Sequence, residues 1–292
     1  MGAITRTKAR SKEAGEKASV VQICRIFEIT PQGYYKGLKR QKKETKHKDM
    51  ILQLVRIKRR KQPRSGGKKL YRMLKTDIQQ MGIKIGRDKF FDILRKEDML
   101  VKRKKRYAKT TNSNHNFRIY TNLIKEVIET KPDGIWLTDI TYIRTGETFM
   151  YLSLVTDLYS RKIIGSCLSD NLSIEGSVKA LKQAMRGKSN LEGSIHHSDR
   201  GIQYCSKEYT KLLTSKGIQI SMSEKGNPYE NAVAERVNGI LKEEFLLSDT
   251  FTDKETARKA VKQAIETYNK SRIHMSIDYK TPEEKYNEGK AA

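Results

Sequence analysis

The sequence predicts an α/β domain on a mixed five-stranded sheet, preceded by all-α helix-turn-helix-like segments, and three observations carry that prediction. From residue 134 onward, β-branched apolar runs and helical patterns follow the order β-β-β-α-β-α-β, with further helices after it. Ahead of that region, apolar residues recur at helical spacing among clusters of Lys and Arg. The charge is divided as well: residues 1–130 hold 36 Lys and Arg against 12 Asp and Glu, whereas residues 131–292 hold 24 against 22. A net charge of +26 lying almost wholly in one half suits that half to a polyanion and leaves the other a balanced surface.

The 292 residues suit about two domains of roughly 100–200 residues each. No run approaches the roughly 20 apolar residues of a membrane span, and no apolar signal-peptide segment is present, so the expectation is a cytoplasmic protein without membrane contact. Cys24, Cys167 and Cys205 are odd in number and form no C-x-x-C pair, which predicts reduced, packed thiols rather than a disulfide framework or zinc site. The expected organisation is a basic, helix-turn-helix-like region over 1–62, a second such segment over 63–100, a basic linker over 101–130, and the α/β core with C-terminal helices over 131–292.

Val20, Val21, Cys24 and Phe27 have helical spacing, and Thr30-Pro31 supplies a cap and first residue for a second short helix. Such a pair either enters a DNA groove or simply packs. A longer helix is expected from about Glu44 to Arg60, with Met50, Ile51, Leu54 and Val55 on one face, ended by Pro63 and Gly66-Gly67. Two further helices, about 67–81 and 87–98, turn Leu70, Tyr71, Leu74 and Ile78, then Phe90, Phe91, Ile93 and Leu94, inward. Lys68, Lys69 and Arg72 beside them are candidate DNA contacts. The following VKRKKRYAKTTNSNHN lacks apolar periodicity, and its Lys102, Arg103, Lys104, Lys105 and Arg106 read as phosphate-tracking.

Three antiparallel strands follow in GIWLTDITYIRTG, ETFMYLSLVTDLYS and RKIIGSCLS, with turns at 144–147 and 159–162. Residues 173–187 read as a helix, 194–199 as a strand, 206–217 as a helix and 218–223 as a strand. That order matches the RNase H-like fold. Asp139 lies within the first strand and Asp199 ends the fourth. Glu235 sits on the helix of NPYENAVAERVNGILKEEF, where Asn227 is a plausible cap, Pro228 a first residue and Glu230 a capping partner. Asn231, Glu235 and Gly239 share one face of it, slim enough for the Glu235 carboxylate to approach the sheet.

WLTDITYI, HHSDRGIQY, KGNPYENAVAER and the later YNKSRIHMSIDYKTP together resemble the integrase-core transposases of bacterial insertion sequences, specifically the IS-three family, over roughly residues 60–285. Thirty-five residues separate Asp199 from Glu235, the interval this family shares with retroviral integrases. The resemblance departs at PRSGGKKLYRML, where Ser65 precedes Gly66 in place of the family's usual tyrosine-glycine pair. It implies a retroviral-integrase-type core with an Asp139, Asp199 and Glu235 triad that is both catalytic and metal-binding. It implies DNA strand cleavage and strand transfer at element ends through a branched form and a circle, then integration into target DNA. It also implies a homo-oligomer on double-stranded DNA, nucleoid association in a bacterial cytoplasm, and an upstream-frame protein partner, since no heptad zipper is visible here.

The chemistry accounts for the acids. In-line attack on a phosphodiester builds negative charge on the attacking and leaving oxygens, and two Mg²⁺ or Mn²⁺ ions about 3.5–4 Å apart stabilise both. Such ions take oxygen ligands. Without metal, three converging carboxylates repel and raise at least one pKa. Asp157 reads instead as a turn cap, and Asp170, Glu175 and Glu230 as helix-start residues. His196 and His197 precede Asp199, and one of them could line the site, but no zinc-spaced cluster accompanies them. Asn231 and Arg236 are candidate DNA-orienting residues, with Arg200, Gln203, Lys225 and Lys242 nearby. Tyr268, Asn269, Arg272 and His274 read as packing a helix of about 253–271 on the core. The rival reading is a catalytically silent DNA-binding regulator from a truncated element.

Overall fold

A computed structural model of the chain describes residues 6, 7, 10, 19–102, 118–125, 127, 129–146, 148–224 and 231–291. Two compact units result, one from Met1–Lys58 with Leu70–Leu100 and one from Arg59–Lys69 with Val101–Ala292.

In the first unit, α1 (Val20–Ile26) starts from a capping box. The Ser19 hydroxyl accepts from the Gln22 N–H at 3.2 Å, and the Gln22 side chain accepts from the Ser19 N–H at 2.9 Å. Ile23 and Cys24 pack with Tyr34, whereas Val21 and Phe27, which share the helical spacing, are exposed. The expected short second helix and the helix from Glu44 are a single element, α2 (Pro31–Lys61). No proline or glycine falls between Leu38 and Lys61, so nothing interrupts the hydrogen-bond ladder. With α3 (Gly67–Gln80) and α4 (Arg87–Lys96) the apolar face of α2 closes one core: Ile51 and Val55 meet Leu70, Leu74, Ile78, Phe90 and Leu94. The expected boundary at 62/63 therefore divides residues that share a core.

The second unit is built on β1 (Ile135–Thr145), β2 (Thr148–Asp157), β3 (Ile163–Ser169), β4 (Ile195–Ser198) and β5 (Gln219–Met222), in the order β3-β2-β1-β4-β5. The first three strands are antiparallel, and β4 and β5 run parallel to β1. This is the RNase H-like arrangement. One face of the sheet, through Trp136 and Val155, packs on α5 (Ile174–Met185), α6 (Ile202–Cys205) and α7 (Lys207–Thr214). Helix α5 lies so near β3 that a Cβ at Gly165 would overlap the Ala180 carbonyl. The other face, through Ile143, Leu152 and Leu154, packs on α8 (Ala232–Glu244) and α9 (Lys254–Ser271). A 3-10 turn at Met275–Ile277 and α10 (Pro282–Ala291) complete the unit. The sequence reading contained neither of these, nor α6.

Polar ties fix the C-terminal elements. Buried Asp133 receives Lys188, the Tyr286 hydroxyl at 2.7 Å and Lys290 at 2.8 Å, which holds α10 to the start of β1. Asp157 caps its turn through the Ser160 N–H at 2.8 Å. The Asn269 amide pairs with both backbone groups of Ile163, at 3.0 and 2.9 Å, as a neighbouring strand would. The Tyr268 hydroxyl donates to the Arg161 carbonyl, and Arg272 grips Glu244 with two bonds of 2.9 Å. The segment YNKSR thus stitches α9 to the sheet and to the end of α8.

Candidate active site

Parallel pairing of β1 with β4 matches Ile135 to Ile195, Trp136 to His196 and Leu137 to His197. Asp139 and Asp199 each lie two residues past the last of these pairs, Asp139 within β1 and Asp199 just beyond the end of β4. Carboxyl ends of neighbouring parallel strands are where open α/β sheets place their ligands. The third acid arrives from the opposite direction, since Glu235 occupies the first turn of α8.

Two asparagines dock that helix against β1. Buried Asn231, at the cap position, donates from Nδ2 to the Thr138 carbonyl at 3.3 Å, and its own carbonyl accepts the Glu235 N–H at 3.0 Å. Asn238, one turn beyond Glu235, donates from Nδ2 to Asp139 Oδ2 at 2.8 Å. The remaining Asp139 oxygen accepts the N–H of Ile140, and Asp199 Oδ1 accepts the N–H of Gly201 at 2.9 Å. Asp139 is half-buried. Burial first, and then the charge of Asp199, push its carboxyl up to about 7, with Glu235 adding a smaller push against the Asn238 and Ile140 bonds.

The three acids are not, however, a closed ligand set. Among the described residues no three His, Cys, Asp or Glu side chains lie close enough to hold an ion as they stand, and Glu235 is exposed. In kind the donors fit a hard divalent cation: all are carboxylate oxygens, and the raised Asp139 marks a site where added positive charge would be stabilised. Lys242, two turns along α8 from Glu235, lies within the electrostatic reach of Asp139 and stands 3.8 Å from the Tyr142 ring centroid.

Other expected site residues fall elsewhere. Asn231 is 6% exposed and holds the helix to the strand, so its side chain is turned away from a DNA surface. Lys69 is half-buried and pairs with Glu244 at 2.7 Å, inside the ion cluster of Arg272. Both histidines are fully buried beneath the site, His196 bonded to Tyr209 at 2.9 Å and His197 to Ser221 at 2.8 Å. Neither lines it, and burial pushes His196 down to about 3, which keeps it neutral. Lys68, Arg72, Lys102 and Arg236 are exposed. Arg103, Lys104, Lys105 and Arg106 lie outside the described residues, as do Lys225, Asn227, Pro228 and Glu230. The described part of the helix starts at Ala232. Asn238 was missed by sequence reasoning; its signal was a polar residue in the apolar stripe of Val237, Ile240 and Leu241.

Two models of the integrase core domain family match residues 129–228 and 216–282. The 31 kDa protein of insertion element IS600 from Shigella sonnei is 32% identical over 272 residues, which cover 91% of this chain and 99% of that protein. The transposase InsF of insertion sequence IS3A from Escherichia coli (strain K12) is 29% identical over 274 residues, covering 91% and 93%. Among solved structures, the HTLV-2 integrase catalytic core domain in complex with magnesium is 22% identical, with a TM-score of 0.42, over 53% of this chain and 97% of that one.

Proposed function

Because the chain belongs to the integrase-core transposases of the IS-three family, we propose that it cuts and rejoins DNA at insertion-sequence ends with Asp139, Asp199 and Glu235. The observation that carries this reading is the docking of the helix of Glu235 onto the strand of Asp139, through Asn238 to the Asp139 carboxylate and Asn231 to the Thr138 carbonyl. The position of Asp199 just past the end of β4 supports the same site, and both Asp199 and Glu235 push the Asp139 carboxyl up.

Asp139, Asp199 and Glu235 are the residues that would hold divalent cations, Mg²⁺ or Mn²⁺. Bound there, the ions would activate the attacking oxygen and stabilise the leaving one in a phosphodiester transesterification. Asn238 keeps the Asp139 carboxylate aimed at the site, and Asn231 fixes the helix that presents Glu235. Lys242 offers the strand a cation beside the acids. Exposed Lys68, Arg72, Lys102 and Arg236 are proposed phosphate contacts, together with the linker residues Arg103 to Arg106. A homo-oligomer follows from the need to join two ends with paired active sites.

Joining of oligonucleotides that carry the element's terminal repeats, in Mg²⁺ or Mn²⁺, tests the reading. Asp139→Asn, Asp199→Asn and Glu235→Gln should each abolish joining while DNA retention survives. Normal joining by all three variants would remove the site assignment.

A further inference from the structure

Beyond the three acids, the β1–β2 hairpin carries an open aromatic surface that neither core uses. Arg144 stands directly opposite Phe149, and Tyr142 is diagonal to Phe149 in the antiparallel register. The Tyr142 and Phe149 rings meet edge to face, with centroids 5.4 Å apart, and remain 44% and 40% exposed. Intervening Ile143 and Met150 are fully buried on the opposite face. A cation caps each ring: Lys242 stands 3.8 Å from the Tyr142 centroid, and Arg144 5.4 Å from that of Phe149.

The hairpin end is braced. The Phe251 N–H donates to the Arg144 carbonyl at 3.0 Å, and the Gly146 N–H to the Phe251 carbonyl at 2.9 Å. Exposed rings on a braced strand, flanked by cations, have the chemistry of a single-strand nucleic-acid platform, where rings take base faces and cations take phosphates. A protein partner binding apolar surface would not need a cation on each ring.

We propose that Tyr142 and Phe149 stack an unpaired nucleotide of the DNA end. Tyr142 lies three residues from Asp139, roughly 10 Å along the strand at about 3.3 Å per residue, and its ring stands on the opposite face of the sheet from the Asp139 carboxylate. Passing to the other face adds a similar distance, so at about 3.4 Å per base step the stacked nucleotide falls within about six steps of the scissile phosphate. Lys242 links the two places, since it senses Asp139 and covers Tyr142. Base stacking on a ring outweighs a partly solvated cation–π contact, so an arriving base displaces the ammonium from the ring and leaves it for the neighbouring phosphate. The inference rests on the strand-transfer reading for the identity of the DNA and for the place of the scissile phosphate.

The test uses the full chain and a terminal-repeat duplex with an unpaired flank. 2-Aminopurine is set at successive flank positions, in EDTA so that no strand is cut. Fluorescence within about six nucleotides of the cleavage position should be quenched by the wild type and by Tyr142→Trp. Tyr142→Ala should lose that quenching, and about tenfold of the preference for an unpaired over a paired flank. Phe149→Ala serves as a second variant, and an unchanged unfolding midpoint certifies each fold. Quenching that persists in both alanine variants, or is absent from the wild type, overturns the proposal. Joining in Mg²⁺ is measured in parallel. Joining without Tyr142-dependent quenching sinks the platform alone, whereas Tyr142-dependent quenching without joining sinks the strand-transfer reading alone.

Discussion

Asn238 Nδ2 donates to Asp139 Oδ2 at 2.8 Å, so the helix that bears one candidate acid holds the carboxylate of another. Groups that orient a metal ligand without touching the metal typically contribute about 10–100-fold in metal affinity or activity. Asn238→Ala should therefore slow joining by about that factor and move the Mg²⁺ activation curve to higher concentration. A slower rate with an unmoved activation curve would make Asn238 a packing residue.

Ionised Asp139 should destabilise the metal-free chain. Burial and Asp199 raise its carboxyl to about 7 from an ordinary 3.8. Between those values the folded chain keeps a proton that the unfolded chain has lost, so stability falls as pH rises across that window. Asp139→Asn removes the penalty. In EDTA at about pH 8 its unfolding midpoint should exceed that of the wild type by several degrees, and the difference should close at about pH 4. Mg²⁺ at the higher pH should raise the wild-type midpoint more than that of the variant. Equal midpoints at both pH values would contradict the coupling.

Glu244 accepts from Lys69 at 2.7 Å and twice from Arg272, whose side chain is 2% exposed. Breaking a buried ion pair by removing one partner costs about 3–5 kcal/mol, because the other charge stays behind. Arg272→Ala should lower stability by about that amount in denaturant titrations. Lys69→Met should cost less, about 1 kcal/mol, since Arg272 still satisfies Glu244. Unchanged DNA retention in Lys69→Met would assign that lysine to the fold rather than to DNA.

The linker prediction is electrostatic. With Lys102, Arg103, Lys104, Lys105 and Arg106 all changed to Gln, the plot of log affinity against log salt should flatten by about 0.9 for each DNA phosphate that the run had neutralised. An unaltered slope would remove this run from the DNA interface.

Periodicity made much of the architecture legible. Strands at GIWLTDITYIRTG and ETFMYLSLVTDLYS alternate over a turn, and the helices at 173–187 and 206–217 carry apolar stripes; these are local signals that packing did not override. Where the local signal was weak, the reading broke. Thr30-Pro31 marked a helix start correctly, but the break expected before Glu44 is absent, because polar residues 39–49 still propagate a helix. Helix α10 was missed because PEEKYNEGKA has little apolar periodicity; it is held by Tyr286 and Lys290 on Asp133, which for the tyrosine lies 153 residues away in the chain.

The sequence by itself determined the order of the strands, the division of charge and the positions of three acids in strand and helix. Only the tertiary structure decided which side chains serve them. Parallel pairing of β1 with β4 up to Leu137 and His197 leads both strands toward their acids, and the packing of α8 selects Asn238 as the donor to Asp139. The same packing turns Asn231 inward, draws Lys69 onto Glu244 and buries both histidines. The physical reason is range: periodicity and capping act within a few residues, whereas burial and hydrogen-bond pairing are settled between groups that meet only when the sheet and its helices close.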